Sequence, residues 1–230
     1  MKKFLSLLLV ALLACSAAMA ESVPFQTVNA FVTITDETGA IALACEPVAV
    51  VDMDNDGALT ISDALRMAHT EHHEDGASAY ADVMTDYGLS LTKLWGVENG
   101  GAYGYYLDHA SPLSLLDPVA EGSYIQAFVY TDMTTWSDTY CYFDAQVLVA
   151  PAGAAIPLTL CAAGWDENFM PVSVPVEGAQ LTVDGVASGV YTEADGSVLF
   201  TLDTPGAYLI SATSDTVNLV APVCLLVISE

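Results

Sequence analysis

Val28 to Thr35 reads V-N-A-F-V-T-I-T, Ile41 to Val51 reads I-A-L-A-C-E-P-V-A-V-V, and Asp52 to Asp63 reads D-M-D-N-D-G-A-L-T-I-S-D. The first run alternates as a strand does, Asp36-Glu37-Thr38-Gly39 reads as a turn, and the second run is a further apolar strand, so the pair predicts a hairpin. Beyond the acidic stretch, Ile61, Ala64, Leu65 and Ala68 recur at i, i+3, i+4 and i+7, the spacing of one buried helical face. The acidic stretch therefore joins a strand to a helix.

Spacing within that junction suits the oxygen ligands of a calcium loop. Asp52, Asp54 and Asp56 fall at loop positions one, three and five, and Gly57 supplies the sharp turn at six. Ala58 offers a backbone carbonyl at seven, Thr60 at nine acts through water, and Asp63 closes the loop at twelve. Ca2+ is the expected ligand, against the plainer alternative of a solvated acidic turn that caps the next helix. Asp63 stands where Glu is usual, and the sequence carries no second such loop to pair with this one. Both departures point to a structural ion of extracellular affinity, roughly 10⁻⁴ to 10⁻³ M.

The N-terminus supports export. Lys2 and Lys3 precede the apolar run Phe4 to Ala14, and Ala18-Met19-Ala20 offers a small-residue cleavage site before Glu21, so residues 1–20 read as a secretory signal. Leu12-Leu13-Ala14-Cys15 resembles a bacterial lipoprotein box, with Cys15 as the alternative lipid anchor. The apolar run is too short for a transmembrane span, and no later stretch reaches ~18 uninterrupted apolar residues. The C-terminal Val227-Ile228-Ser229-Glu230 carries no basic tail or anchor. The expected place is secreted or extracellular, or the cell surface if lipidated.

The 230 residues hold 29 carboxylates against 4 Lys and Arg, a formal net charge of −25. After the signal only Arg66 and Lys93 remain as cations. Nucleic acid and anionic lipid, both bound chiefly through Lys and Arg, are excluded as partners. Disorder is excluded too, because 53% of the residues are apolar. Cys45, Cys141, Cys161 and Cys224 admit three pairings in an oxidising compartment; bridges closed within each domain would join Cys45 to Cys141 and Cys161 to Cys224, and buried free thiols are the alternative.

After the helix come apolar runs at Leu89 to Trp95, Ala102 to Leu107 and Ser123 to Thr131. This order, with Gly104-Tyr105-Tyr106-Leu107 leading through Glu121-Gly122 into Tyr124 to Tyr130, resembles the transcobalamin-C-terminal-like domain of exported bacterial proteins. The resemblance covers roughly residues 28 to 145 and implies a β-grasp, a sheet wrapped on one helix; the loop at 52–63 departs from it and resembles half of a dockerin or an EF-hand loop. From about Gln146 short alternating runs follow at Ile156 to Ala162, Val172 to Val183, Tyr191 to Leu202, Ala207 to Thr213 and Val217 to Ile228. Asp184-Gly185, Asp195-Gly196 and Pro205-Gly206, with the strands around them, look like bacterial immunoglobulin-like and carboxypeptidase-regulatory-like domains. The expected class is α+β: a β-grasp-like domain over residues 21–148, then an all-β immunoglobulin-like sandwich over 149–230.

His69, His72 and His73 share a helical face and admit a transition-metal site, although H-E-x-x-H is absent and a solvated helix end reads as well. Trp95, Tyr103, Tyr105, Tyr106, Tyr124, Tyr130, Trp136, Tyr140, Tyr142 and Phe143 are core residues or a stacking platform for a sugar or flat ligand. Asp108, His109 and Ser111 are neighbours without a nucleophile elbow, so no catalytic residue is assigned. The expectation is a non-catalytic, calcium-binding extracellular module that adheres to a surface or binds a glycan or protein. The alternative is capture of a corrinoid or other small molecule for an uptake system.

Overall fold

The computed structural model describes residues 27–230. The signal expected at 1–20 and the candidate anchor Cys15 lie outside them. The fold is mostly β, with one α-helix among the described residues and several sheets.

β1 (Val28–Thr35) and β2 (Ile41–Val50) form the expected antiparallel hairpin. α1 (Ile61–His72) follows, then a 3-10 turn at Gly76–Ala79, a small ribbon of β3 (Ala81–Thr85) and β4 (Gly88–Lys93), and β5 (Tyr103–Leu107) and β6 (Tyr124–Val129). The main sheet runs β2-β1-β6-β5, with β1 and β6 parallel at its centre. Alternation decides what each face covers. Ala30, Val32 and Ile34 of β1 and Ile125, Ala127 and Val129 of β6 share a core with Ile61, Ala64, Leu65 and Ala68 of α1. The β3 strand, A-D-V-M-T, was not anticipated: its residues are half-buried or exposed, so no apolar alternation marks it.

The opposite face of that sheet meets the C-terminal half. Phe31, Tyr124 and Cys45 pack with Leu209, Val223 and Leu225, and Gln126 Nε2 donates to the Ala221 carbonyl at 3.0 Å. All six residues of β6 are therefore buried, which is why its sequence reads as a continuous rather than an alternating run.

The C-terminal half contains β7 (Thr139–Phe143), β8 (Val147–Pro151), β9 (Ile156–Trp165), β10 (Pro171–Pro175), β11 (Gln180–Val183), β12 (Val186–Tyr191), β13 (Ser197–Phe200), β14 (Gly206–Thr213), β15 (Leu219–Val220) and β16 (Cys224–Ser229). One sheet runs β10-β9-β7-β15 with β13 also on β9, the other β12-β11-β14-β16-β8. Leu158, Leu160, Leu181, Ile210 and Leu226 fill the core between them. β7 lies N-terminal to the expected division at 148, yet it pairs with β9 through Cys141 opposite Ala162. Pairing changes over between β6 and β7, because the composition shift near Gln146 marks a change of pattern and not of partner.

Cys45, Cys141, Cys161 and Cys224 are free thiols. The pairs expected from chain order do not form: Cys45 lies at the junction with β16, while Cys141 and Cys161 lie on the paired strands β7 and β9. No helix among the described residues is long and apolar enough to cross a membrane.

Candidate metal site and junction cleft

The buried start of α1 has to satisfy its first backbone donors. Ile61 N–H donates to the Asp117 carbonyl at 3.1 Å and Ser62 N–H to that of Leu115 at 3.0 Å. Thr60 is the N-cap, in a capping box: its hydroxyl accepts from Asp63 N–H, and Asp63 Oδ2 accepts from Thr60 N–H at 2.9 Å and from the Thr60 hydroxyl at 2.7 Å. The Thr60 hydroxyl is thus engaged in the cap, a local role that the expected water-mediated one at position nine left out.

Asp63 Oδ1 accepts from Met53 N–H at 2.9 Å, which folds the loop back onto the helix end. Asp52 accepts from Asp56 N–H at 3.2 Å and Gly57 N–H at 2.9 Å. Asn55 and Gly57 take left-handed φ values of 61° and 91°, which turn these amides inward. As a result, oxygens of Asp52, Asp54 and Asp63 lie within 4.8 Å of one another. Asp56 stands outside this trio and accepts from Ala58 N–H at 2.8 Å.

Slight desolvation, together with the neighbouring charges of Asp56, Asp63 and Asp52, raises the Asp54 carboxyl above its ordinary range. Asp52 feels a desolvation penalty as well, but the N–H groups of Gly57, Asn55 and Asp56 hold it below its ordinary range. Crowded hard oxygen donors of this kind fit Ca2+ in donor type and charge. Asp52, Asp54 and Asp63 are the side chains that would hold it, and the ion would relieve the repulsion that Asp54 feels.

The histidine trio does not form a metal site. His69 is fully buried, with Nδ1 bonded to the Leu65 carbonyl at 2.6 Å and Nε2 accepting from Trp95 N–H at 2.9 Å. Both ring nitrogens are therefore committed to the fold. His73 packs edge-on to Trp95 with centroids 4.8 Å apart and accepts from Asp75 N–H.

At the junction of the two halves, aromatic rings form a continuous stack. Tyr106 lies on Tyr140 at 3.7 Å and His109 on Tyr142 at 3.9 Å, with Tyr140 and Tyr142 5.8 Å apart. Tyr106, Asp108, His109, Tyr142, Trp165 and Ser173 line a cleft of about 210 Å³. His109 Nδ1 donates to the Tyr140 hydroxyl at 2.9 Å, and Nε2 accepts from the Gln146 amide. Desolvation lowers the His109 pKa, against the raising effect of Asp108. Asp108 accepts from Tyr124 N–H at 2.7 Å and from the Ser123 hydroxyl at 3.2 Å. Asp108, His109 and Ser111 consequently form no proton relay. Tyr106, Tyr140 and Tyr142 belong to the aromatic set read from the sequence, whereas Trp165 does not, and their convergence depends on contacts between β5, β7 and β9 that carry no local signal.

No family model matches the chain, and no curated protein matches it. Among solved structures, the chain is similar to the crystal structure of Dscam1 isoform 9.44, N-terminal four Ig domains, at 11% identity and a TM-score of 0.25. That match covers 89% of this chain and 45% of the other, so this chain spans less than half of its length.

Proposed function

We propose that this protein is an exported, calcium-stabilised, non-catalytic binding module: a β-grasp-like domain with a calcium loop, joined to an immunoglobulin-like sandwich. The observation that carries the calcium reading is the approach of Asp52, Asp54 and Asp63 to within 4.8 Å at the mouth of α1. A sheet with one helix across its face supports the β-grasp reading, and two sheets around one core support the sandwich reading. Export rests on the N-terminal signal pattern, and the strongly acidic composition favours neutral or cationic partners over polyanions.

Within this reading the ion is structural. It binds the folded chain and not the unfolded one, so it stabilises by RT ln(1 + [Ca²⁺]/Kd), about 2.7 kcal/mol at a hundredfold excess over Kd. Thermal melts of chelated protein, with and without millimolar calcium, test this. The expected result is a higher melting temperature with calcium; identical curves would remove the calcium reading. Corrinoid capture at the aromatic cleft has less support, because its volume of about 210 Å³ is below the roughly 300–1,000 Å³ of an ordinary small-molecule pocket.

A further inference from the structure

The junction cleft has features that packing alone does not require. Tyr140 is buried and gives the stack a fixed core, whereas Tyr106, His109 and Tyr142 are only half-buried and keep part of their surface toward the opening. Trp165, at the end of β9, is 62% exposed yet borders the same cleft. Its partner in the hairpin, Pro171, is also exposed, so the indole has no core to fill.

Polar groups interleave with these rings. The Tyr142 hydroxyl hydrogen-bonds to Ser173 Oγ, and Asp108 is a carboxylate with acceptor capacity beyond its bonds to Tyr124 and Ser123. No Lys or Arg lines the cleft. The two cations among the described residues are used elsewhere, Arg66 on Asp82 at 2.8 Å and Lys93 on Glu98 at 2.6 Å. An anionic ligand would find no counter-charge here, and His109, with both nitrogens bonded and its charge disfavoured by burial, supplies none.

Resting on the reading of this chain as a binding module, we propose that the junction cleft binds one uncharged pyranose ring of a glycan, stacked on the Tyr142 and Trp165 rings with its hydroxyls held by Asp108 and Ser173. The C–H face of a pyranose carries the partial positive charge that the negative face of an aromatic ring attracts, and its rim of hydroxyls needs acceptors and donors at the side. The volume suits one such ring. With both ring nitrogens bonded, His109 contributes a fixed flat surface to the site.

The test is saturation-transfer NMR on the purified chain with methyl glycosides of glucose, galactose, mannose and N-acetylglucosamine, followed by fluorescence titration, with glucuronate as the charged control. At least one uncharged glycoside should bind and glucuronate should not. Trp165→Ala should weaken binding about tenfold, the scale of one aromatic contact, with an unchanged melting temperature. Trp136→Ala, at a tryptophan that does not line the cleft, should leave binding intact. Absence of binding by every uncharged glycoside, or full binding by Trp165→Ala, would overturn the proposal. Glycoside binding by a chain that calcium fails to stabilise would support the cleft and sink only the calcium reading. Calcium stabilisation without glycoside binding would do the reverse.

Discussion

His69 Nε2 accepts a 2.9 Å hydrogen bond from the backbone N–H of Trp95, tying the last turns of α1 to the chain leaving β4. Nδ1 donates to the Leu65 carbonyl, so the ring is neutral, and burial pushes its pKa down to about 4 from 6.5. The unfolded imidazole takes up a proton that the folded one refuses. This contribution to stability is therefore whole above about pH 6.5 and is lost as pH falls toward 4. At most roughly 3 kcal/mol is at stake. Urea unfolding across this range should show the slope, and His69→Phe should be less stable at neutral pH with a shallower slope between pH 6.5 and 4.

Asp54 separates metal binding from loop architecture. Asp63 holds the cap of α1 and Asp52 holds two backbone amides, so replacing either also disturbs the fold. Asp54 makes one bond to the backbone, at 3.3 Å from Asp56 N–H, and otherwise meets the Asp52 side chain. In Asp54→Asn the chelated protein should melt close to wild type, within about 0.5 kcal/mol, while the calcium-induced rise is lost. An equal rise in variant and wild type would remove Asp54 from the site.

Gly104 on β5 lies opposite Phe128 on β6, and a Cβ built at Gly104 would enter the Phe128 ring. Phe128 is 1% exposed and packs with Tyr140 and Val220, so it has little room to move. Gly104→Ala should cost about 1–3 kcal/mol by overpacking, measurable by denaturant titration. The paired change Gly104→Ala with Phe128→Leu should recover part of that loss.

The thiols should differ in reactivity. Desolvation pushes Cys45 up to about 11, reinforced by Glu46, and Cys141 and Cys224 up to about 12, reinforced by Cys161 and by Cys45 and Asp144 respectively. Cys161 is also raised, by desolvation and Asp144, but it alone of the four is partly exposed. Iodoacetamide on the reduced native chain, read by peptide mass mapping, should label Cys161 first, and all four should react in denaturant. Early labelling of Cys141 or Cys224 would contradict this order.

Local chemistry made much of the first half legible. The β1–β2 hairpin and the apolar face of α1 depend on periods within about a dozen residues and lie where their pattern implied, and of the four loop aspartates Asp52, Asp54 and Asp63 come together. Thr60 shows the limit: loop position nine and helix N-cap fall on one residue, and the cap engages its hydroxyl. Asp56 shows another, since its spacing matched the loop while its side chain turned to Ala58.

By itself the sequence determined the strand and helix periods, the strongly anionic composition, and the run of oxygen-bearing side chains just before the helix, because these follow from residue type and near-neighbour spacing. Tertiary structure alone decided that β7 pairs with β9, that His69 is a core hydrogen-bonding residue and not a metal ligand, that the four cysteines are free thiols, and that Tyr106, His109, Tyr142 and Trp165 meet in one cleft. Each of these depends on contacts between segments far apart in the chain, whose pairing is selected by the combined burial of both halves and leaves no mark in any single stretch.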